Sequence, residues 1–266
     1  IIFFSTYRKT DRPTVLIGIK ENMKTLIIAE AGVNHNGSLN LAKKLVDVAN
    51  EAGADYVKFQ TFKAKTVVTR NADKAEYQKN FTAKEESQFE MIEKLELDKF
   101  AHQQIIRHCK KKGIGFLSTA FDHDSIDMLA ELNIPVYKIP SGEITNLPYL
   151  RHIGRMGKPL VMSTGMATLE EVLTALNVLL EAGAKKDWIT ILHCNSAYPT
   201  PVEDVNLAGI EVLRKMVNSI DKPDEMIIKV GYSDHTVSPA VMYRTVHHFG
   251  IDFIEFHIDL DGKGEE

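Results

Sequence analysis

Cysteine is nearly absent from this chain: Cys109 and Cys194 are the two among 266 residues. Two thiols exclude a disulfide framework and a four-cysteine zinc site, and they fit a reducing, cytoplasmic setting. No apolar run approaches the roughly 18 residues needed to span a bilayer, so no membrane partner is expected. The opening Ile1-Ile2-Phe3-Phe4 is too short for a signal-peptide core and has no basic segment ahead of it. An excess of positive charge is missing as well. The formal net charge of −4 argues against a nucleic-acid partner, which calls for a basic face. The longest basic run, Lys110-Lys111-Lys112, falls at a helix end, where it offsets the negative pole of the dipole. A glycine-rich dinucleotide turn is lacking too. The first turn reads Ala31-Gly32-Val33-Asn34-His35-Asn36-Gly37, which does not match that fingerprint.

What is present is alternation. Short β-rich runs at 25–30, 55–60, 115–119, 136–140, 159–164, 189–194, 226–231 and 253–258 are mostly followed by amphipathic helical stretches. In the stretch 39–52, Leu41, Leu45, Val48 and Ala52 share one face at helical spacing. Thr168 with Glu171 makes a capping box, and Ser238-Pro239 is an N-cap followed by a first-turn proline. Gly53, Gly113 and Gly183 sit where helices should stop. Strict β-α alternation implies a parallel sheet, and eight units predict an α/β fold of the (β/α)8 TIM-barrel type. The sequence stops just after the eighth strand, so the eighth helix is expected beyond residue 266. Residues 1–22 read as an N-terminal extension of unclear role, and 23–266 as the barrel domain.

Barrel enzymes place their chemistry at the C-terminal ends of the strands. Residues two apart on a strand share a face. That phase sends Glu30, Lys58, Gln60, Lys138, Glu255 and His257 into the lumen, while Val57, Phe59, Tyr137, Ile139, Ile254 and Phe256 face the helices. Buried charge needs a partner, so this convergence marks a polar site. Lys58 and Lys138 can be read as anion binders, with hydroxyls of Ser118, Thr119, Ser141, Ser163 and Ser233 completing the shell. They can also be read as Schiff-base nucleophiles of an aldolase, or as buried Lys–Glu pairs of the core.

His235 and His257 end the last two strands. Together they suit a divalent ion such as Mn²⁺ or Mg²⁺ with positions left open for substrate. His102, His108, His123, His152, His247 and His248 are expected on helices as surface or packing residues. His35 falls in the first βα loop, where loop chemistry and loop structure are both open. His193 reads equally well as a hydrogen-bonded core residue or a ligand. Cys194 is assigned to the core, since no basic cluster beside it would activate a thiolate.

The ordered set Ile28-Ala29-Glu30-Ala31-Gly32-Val33-Asn34-His35-Asn36-Gly37, Val57-Lys58-Phe59-Gln60, Ser118-Thr119 and Tyr137-Lys138-Ile139-Pro140-Ser141-Gly142-Glu143 resembles the sialic acid synthases. So do Ser163-Thr164-Gly165-Met166, His193-Cys194, Tyr198-Pro199-Thr200 and the segment 231–236 with His257. The resemblance runs from about Leu26 to Asp261. It implies a synthase that condenses phosphoenolpyruvate with an N-acetylated hexosamine, N-acetylmannosamine first and a legionaminic-type acceptor as the alternative. It also implies Mn²⁺ on His235 and His257. Phosphoenolpyruvate would lie on Lys58, Thr119, Lys138, Ser163 and Ser233, and the amino sugar on Gln60 and Tyr198. Glu30 would handle a proton, with Glu143 as a second acid or base. The family usually carries asparagine two residues before the tyrosine, where this chain has Ser196 beside Asn195, so that phosphate contact is less firmly placed. The loop 71–87 should help hold the sugar, with no residue assigned. Members of this family form homodimers and carry a C-terminal antifreeze-like domain. The rivals are a Schiff-base aldolase, a related synthase using another aldehyde, and a non-catalytic barrel that binds a sugar or phosphate.

Overall fold

The computed structural model describes residues 25–70, 72, 87–219 and 227–260. The expected extension at 1–22 and nearly all of the loop 71–87 lie outside the described residues.

Eight parallel strands close into a barrel in chain order, with the first strand hydrogen-bonded to the last. They are β1 (Leu26–Gly32), β2 (Tyr56–Thr61), β3 (Gly115–Ala120), β4 (Tyr137–Ile139), β5 (Leu160–Ser163), β6 (Ile189–Cys194), β7 (Lys229–Asp234) and β8 (Phe253–His257). The connecting helices are α1 (Leu39–Glu51), the short α2 (Ala64–Val67) and α3 (Gln88–Glu93), α4 (Lys99–Lys112), α5 (His123–Glu131), α6 (Leu147–Gly154), α7 (Leu169–Glu181), α8 (Gly209–Ser219) and α9 (Pro239–Phe249). The caps follow the sequence. Thr168 and Glu171 form the reciprocal capping box of α7, and Gly113 takes a left-handed conformation after α4.

Two expectations need correction. The seventh strand was placed at 226–231, but β7 begins at Lys229 and carries Ser233 and Asp234 inside it. Gly231 does not end this strand; it lets two backbones approach. A Cβ there would stand 2.4 Å from the Phe253 carbonyl oxygen on β8, closer than any side chain permits. The buried face of α1 is also rotated. Ala42, Leu45, Val46 and Ala49 are buried, whereas Val48 is 38% exposed. The two alanines let α1 lie close against β1, β2 and α4, an advantage that reading leucine and valine spacing alone overlooks.

The register sets the levels of the lumen. Glu30 is aligned with Lys58 on one side and His257 on the other, Thr119 with Lys138, and Ser233 with both Cys194 and Glu255. Ile28, Leu117, Val161 and Leu192 stand two positions before Glu30, Thr119, Ser163 and Cys194, and all four are buried. Strand alternation therefore puts an apolar floor directly beneath the polar level. On the outer face of the barrel, Val57, Phe59, Ile139, Leu160 and Ile191 join the helices in one continuous core.

Candidate active site

The polar level is a network of four buried ionisable groups. Lys58 Nζ lies 2.7 Å from Glu30 Oε2 and 3.6 Å from Glu255 Oε2, and it donates to Thr119 Oγ1 at 3.1 Å. Lys138 Nζ meets Glu255 Oε1 at 3.0 Å and Ser163 Oγ at 2.9 Å. Ser233 Oγ donates to the same Glu255 oxygen at 3.1 Å, and Gln60 Nε2 donates to Glu30 Oε1 at 3.4 Å. Glu255 is thus the hub on which both lysines turn. The sequence phase put it in the lumen without giving it a role.

The two carboxylates are not equivalent. Burial pushes Glu30 up to about 7, with the Lys58 charge working against the shift and Glu255 adding to it. Burial would raise Glu255 as well, but Lys138 and Lys58 together hold it down to about 2. The lysines divide in the same way. Burial lowers Lys138 despite Glu255, while two facing carboxylates overcome burial and raise Lys58. Lys58 therefore stays charged, and Glu30 is the group poised to exchange a proton near neutrality.

Beside this network stand the two histidines, their ring centroids 5.5 Å apart. His235 Nδ1 lies 2.6 Å from the Asn195 carbonyl oxygen, and Tyr198 stacks on the same ring with its hydroxyl 3.0 Å from Nε2. Tyr198 also meets His257 edge-on and is 53% exposed, so it forms part of the mouth. His257 Nδ1 is buried, with no hydrogen-bond partner among the described residues. Burial is the main reason that His235 is lowered to about 4 and His257 to about 3, which keeps both rings neutral and their lone pairs available. Cys194 Sγ sits 3.9 Å from His235 Nδ1, and burial pushes its thiol up, the opposite of an activated nucleophile.

A divalent cation fits this pair. The orphaned His257 nitrogen would supply one ligand and His235 would supply Nε2, because the His235 Nδ1 faces a carbonyl that can only accept. Among the described residues no group of three histidine, cysteine or acidic side chains converges to hold an ion. Two protein nitrogens would leave several coordination positions open for substrate oxygens.

Other sequence assignments fall unevenly. Ser118 is turned away from the lumen: its hydroxyl is 2.6 Å from Thr61 Oγ1, which in turn lies 2.7 Å from His102 Nε2. Adjacent strand residues face opposite sides, so Ser118 and Thr119 cannot both line the site. Ser196 is exposed at the mouth, and Ser141 Oγ accepts from the Gly165 N–H. Glu143 lies on the turn after β4, where Asn146 Nδ2 donates to it at 2.7 Å, and among the described residues no hydrogen bond joins it to the charged level. His193 Nε2 donates to the Val205 carbonyl at 3.1 Å, in keeping with a core histidine. His35 is fully buried, and its Nδ1 accepts from the Gly37 N–H, which marks loop structure. Asn34 in the same loop was not singled out, yet its amide donates to the Ile258 carbonyl at 2.9 Å and fastens the loop to the end of β8.

Residues 45–266 match the model of the NeuB family. The chain belongs to the NeuB family. Among curated relatives, the N,N'-diacetyllegionaminic acid synthase of Campylobacter jejuni is 52% identical, over 90% of this chain and 68% of the relative. The Legionella pneumophila protein of the same name is 45% identical, over 92% of this chain and 67% of its own length. This chain therefore spans about two thirds of each relative. The crystal structure of N-acetylneuraminic acid synthetase from Leptospira borgpetersenii superposes with a TM-score of 0.74 at 30% identity, covering 89% of this chain and 74% of that one. No helix among the described residues is long and apolar enough to cross a membrane.

Proposed function

We propose that this NeuB-family barrel is a phosphoenolpyruvate-dependent nonulosonic acid synthase, and that its acceptor is a di-acetamido hexose leading to a legionaminic-type acid. The observation that carries the proposal is the meeting of two buried lysines, their hydroxyl partners and two neutral histidines on one level of one lumen. The acceptor moves away from N-acetylmannosamine, the first expectation from sequence, because of the relatives. Two diacetyllegionaminic acid synthases reach 52% and 45% identity, against 30% for the N-acetylneuraminic acid synthetase.

In this reading the residues divide the work by charge. Lys58 and Lys138, with Thr119, Ser163 and Ser233, hold the carboxylate and phosphate oxygens of phosphoenolpyruvate. With Glu30 protonated, two ammonium groups face the single Glu255 carboxylate, and the level carries the surplus positive charge that an anion requires. The methylene carbon of phosphoenolpyruvate forms the new bond to the aldehyde carbon of the open-chain sugar. Glu30 gives its proton to the alkoxide left on the sugar and takes one back from the water that adds to the former enol carbon. Phosphate then departs by carbon–oxygen cleavage, with the remaining hydroxyl proton leaving as the ketone forms. Gln60, Tyr198 and Ser196 lie toward the mouth, where they position the acceptor and the phosphate. Glu143 serves as a second acid or base only if the acceptor reaches its turn. A Mn²⁺ or Mg²⁺ ion on His235 and His257 would supply Lewis-acid polarisation of the aldehyde oxygen. The working form is proposed to be a cytoplasmic homodimer.

The test is a comparison of acceptors with the full-length enzyme. Product mass and kcat/KM are measured with N-acetylmannosamine, its 6-phosphate and the di-acetamido sugar. The di-acetamido sugar should give the highest kcat/KM. A preference for either N-acetylmannosamine form would return the acceptor assignment to the sialic acid branch.

A further inference from the structure

We infer that Asn195 is a positioning residue for His235, fixing which imidazole nitrogen is offered at the barrel mouth and so the affinity of the site for a divalent cation. The inference rests on the metal-dependent reading proposed above. Nδ1 of His235 stands 2.6 Å from the Asn195 carbonyl oxygen. A carbonyl has no proton to give, so Nδ1 donates and Nε2 keeps its lone pair. Nε2 then faces Tyr198 Oη at 3.0 Å and Ser233 Oγ at 3.4 Å, on the side toward His257. Histidine ligands are commonly oriented in this way, by a carbonyl or carboxylate on the second nitrogen.

The direction of that carbonyl is itself held by the Asn195 side chain. Its Nδ2 donates to the Asp204 carbonyl at 3.0 Å, and its Oδ1 accepts from the Ala197 N–H at 2.8 Å. Both ends of the amide are therefore engaged within the connection from β6 to α8. The same connection is tied to His235 a second time, through the Thr200 N–H donating to the His235 carbonyl at 2.8 Å. Thr200 Oγ1 closes the loop on the Ala197 carbonyl at 2.8 Å. A side chain so fully committed to its own loop is not free to hold a phosphate. Asn195 touches neither the cation nor the reactants in this account and acts only through His235.

A residue that merely fastens a loop affects folding stability. One that sets a ligand's tautomer and direction affects cation affinity at unchanged stability. The experiment titrates Mn²⁺ into the metal-free full-length chain and reads free Mn²⁺ by electron paramagnetic resonance. It uses wild type, Asn195→Ala, Asn195→Asp and His235→Gln, with thermal unfolding of each metal-free protein alongside. Asn195→Ala should weaken Mn²⁺ binding about tenfold or more with little change in metal-free unfolding temperature. Asn195→Asp, which keeps the acceptor for the Ala197 N–H, should fall between it and wild type. Wild-type affinity in Asn195→Ala overturns the inference, and if that variant does not fold, wild-type affinity in Asn195→Asp does so. Should wild type bind no Mn²⁺, the metal reading itself fails and the inference fails with it. Should His235→Gln lose Mn²⁺ while both Asn195 variants keep it, the metal reading stands and this inference alone is rejected.

Discussion

Lys138 and Glu255 are 117 positions apart in the chain, and their charged ends meet at 3.0 Å across the barrel lumen. The contact joins β4 to β8, strands that are not neighbours in the sheet. Glu255 also faces Lys58 and accepts from Ser233, so one carboxylate organises the polar level of the candidate anion site. Removing its charge leaves a buried lysine without compensation. Glu255→Gln should destabilise the protein by about 3–5 kcal/mol, the usual cost of breaking a buried pair from one side. Urea unfolding with an unchanged m-value measures this, and a loss under about 1 kcal/mol would mean that water reaches the lysines freely.

Glu30 should reveal itself through pH. Its carboxyl is raised from the ordinary 4.5 to about 7, chiefly by burial. A raised folded-state value means that its contribution to stability is complete below about 4.5 and is lost as pH climbs through about 7. Glutamine cannot titrate, so the stability of wild type relative to Glu30→Gln should fall between about pH 5 and about pH 8. A difference that stays level, or rises, over that window would show Glu30 to be ionised throughout by Lys58.

On the proposed metal-dependent reading, activity is conditional on a cation held by His235 and His257. Dialysis against excess chelator should abolish turnover, and Mn²⁺ should restore it. His257→Ala should lose both activity and Mn²⁺ binding, because the buried Nδ1 has no other partner among the described residues. Full turnover in excess chelator would leave the pair without a metal role.

Gly231 tests the barrel frame separately from the chemistry. A methyl group there would meet the Phe253 carbonyl oxygen at 2.4 Å and Leu192 Cδ2 at 2.6 Å. Gly231→Ala should therefore cost about 1–3 kcal/mol by overpacking between β7 and β8. Thermal unfolding at wild-type temperature would show that the two strands part without strain.

The barrel was legible because two periods run through the chain, strand alternation and helical spacing, and every strand but β7 starts within one residue of its sequence-based position. Strand seven slipped because Gly231 reads as punctuation, whereas its lack of a side chain is what lets β8 come close. The inward phase of Lys58, Lys138, Glu30 and Glu255 follows from alternation, so their meeting in one lumen was expected. That Glu255 is shared by both lysines depends on distances across the barrel, which no local pattern encodes. Ser118 was misplaced by treating two neighbouring hydroxyls as one group. Asn195 left no readable signal, because it acts through its backbone carbonyl and a loop conformation rather than through its side chain in the lumen.

The most direct test of the central claim is a phosphate-release assay on the full-length protein with phosphoenolpyruvate, Mn²⁺ and the di-acetamido acceptor, followed by borohydride treatment of the mixture. The account predicts one phosphate released for each phosphoenolpyruvate consumed, dependence on the acceptor, and no lysine adduct by mass spectrometry. Calorimetric binding of phosphoenolpyruvate with no phosphate released from any amino-sugar acceptor would contradict it, and so would a trapped adduct on Lys58 or Lys138.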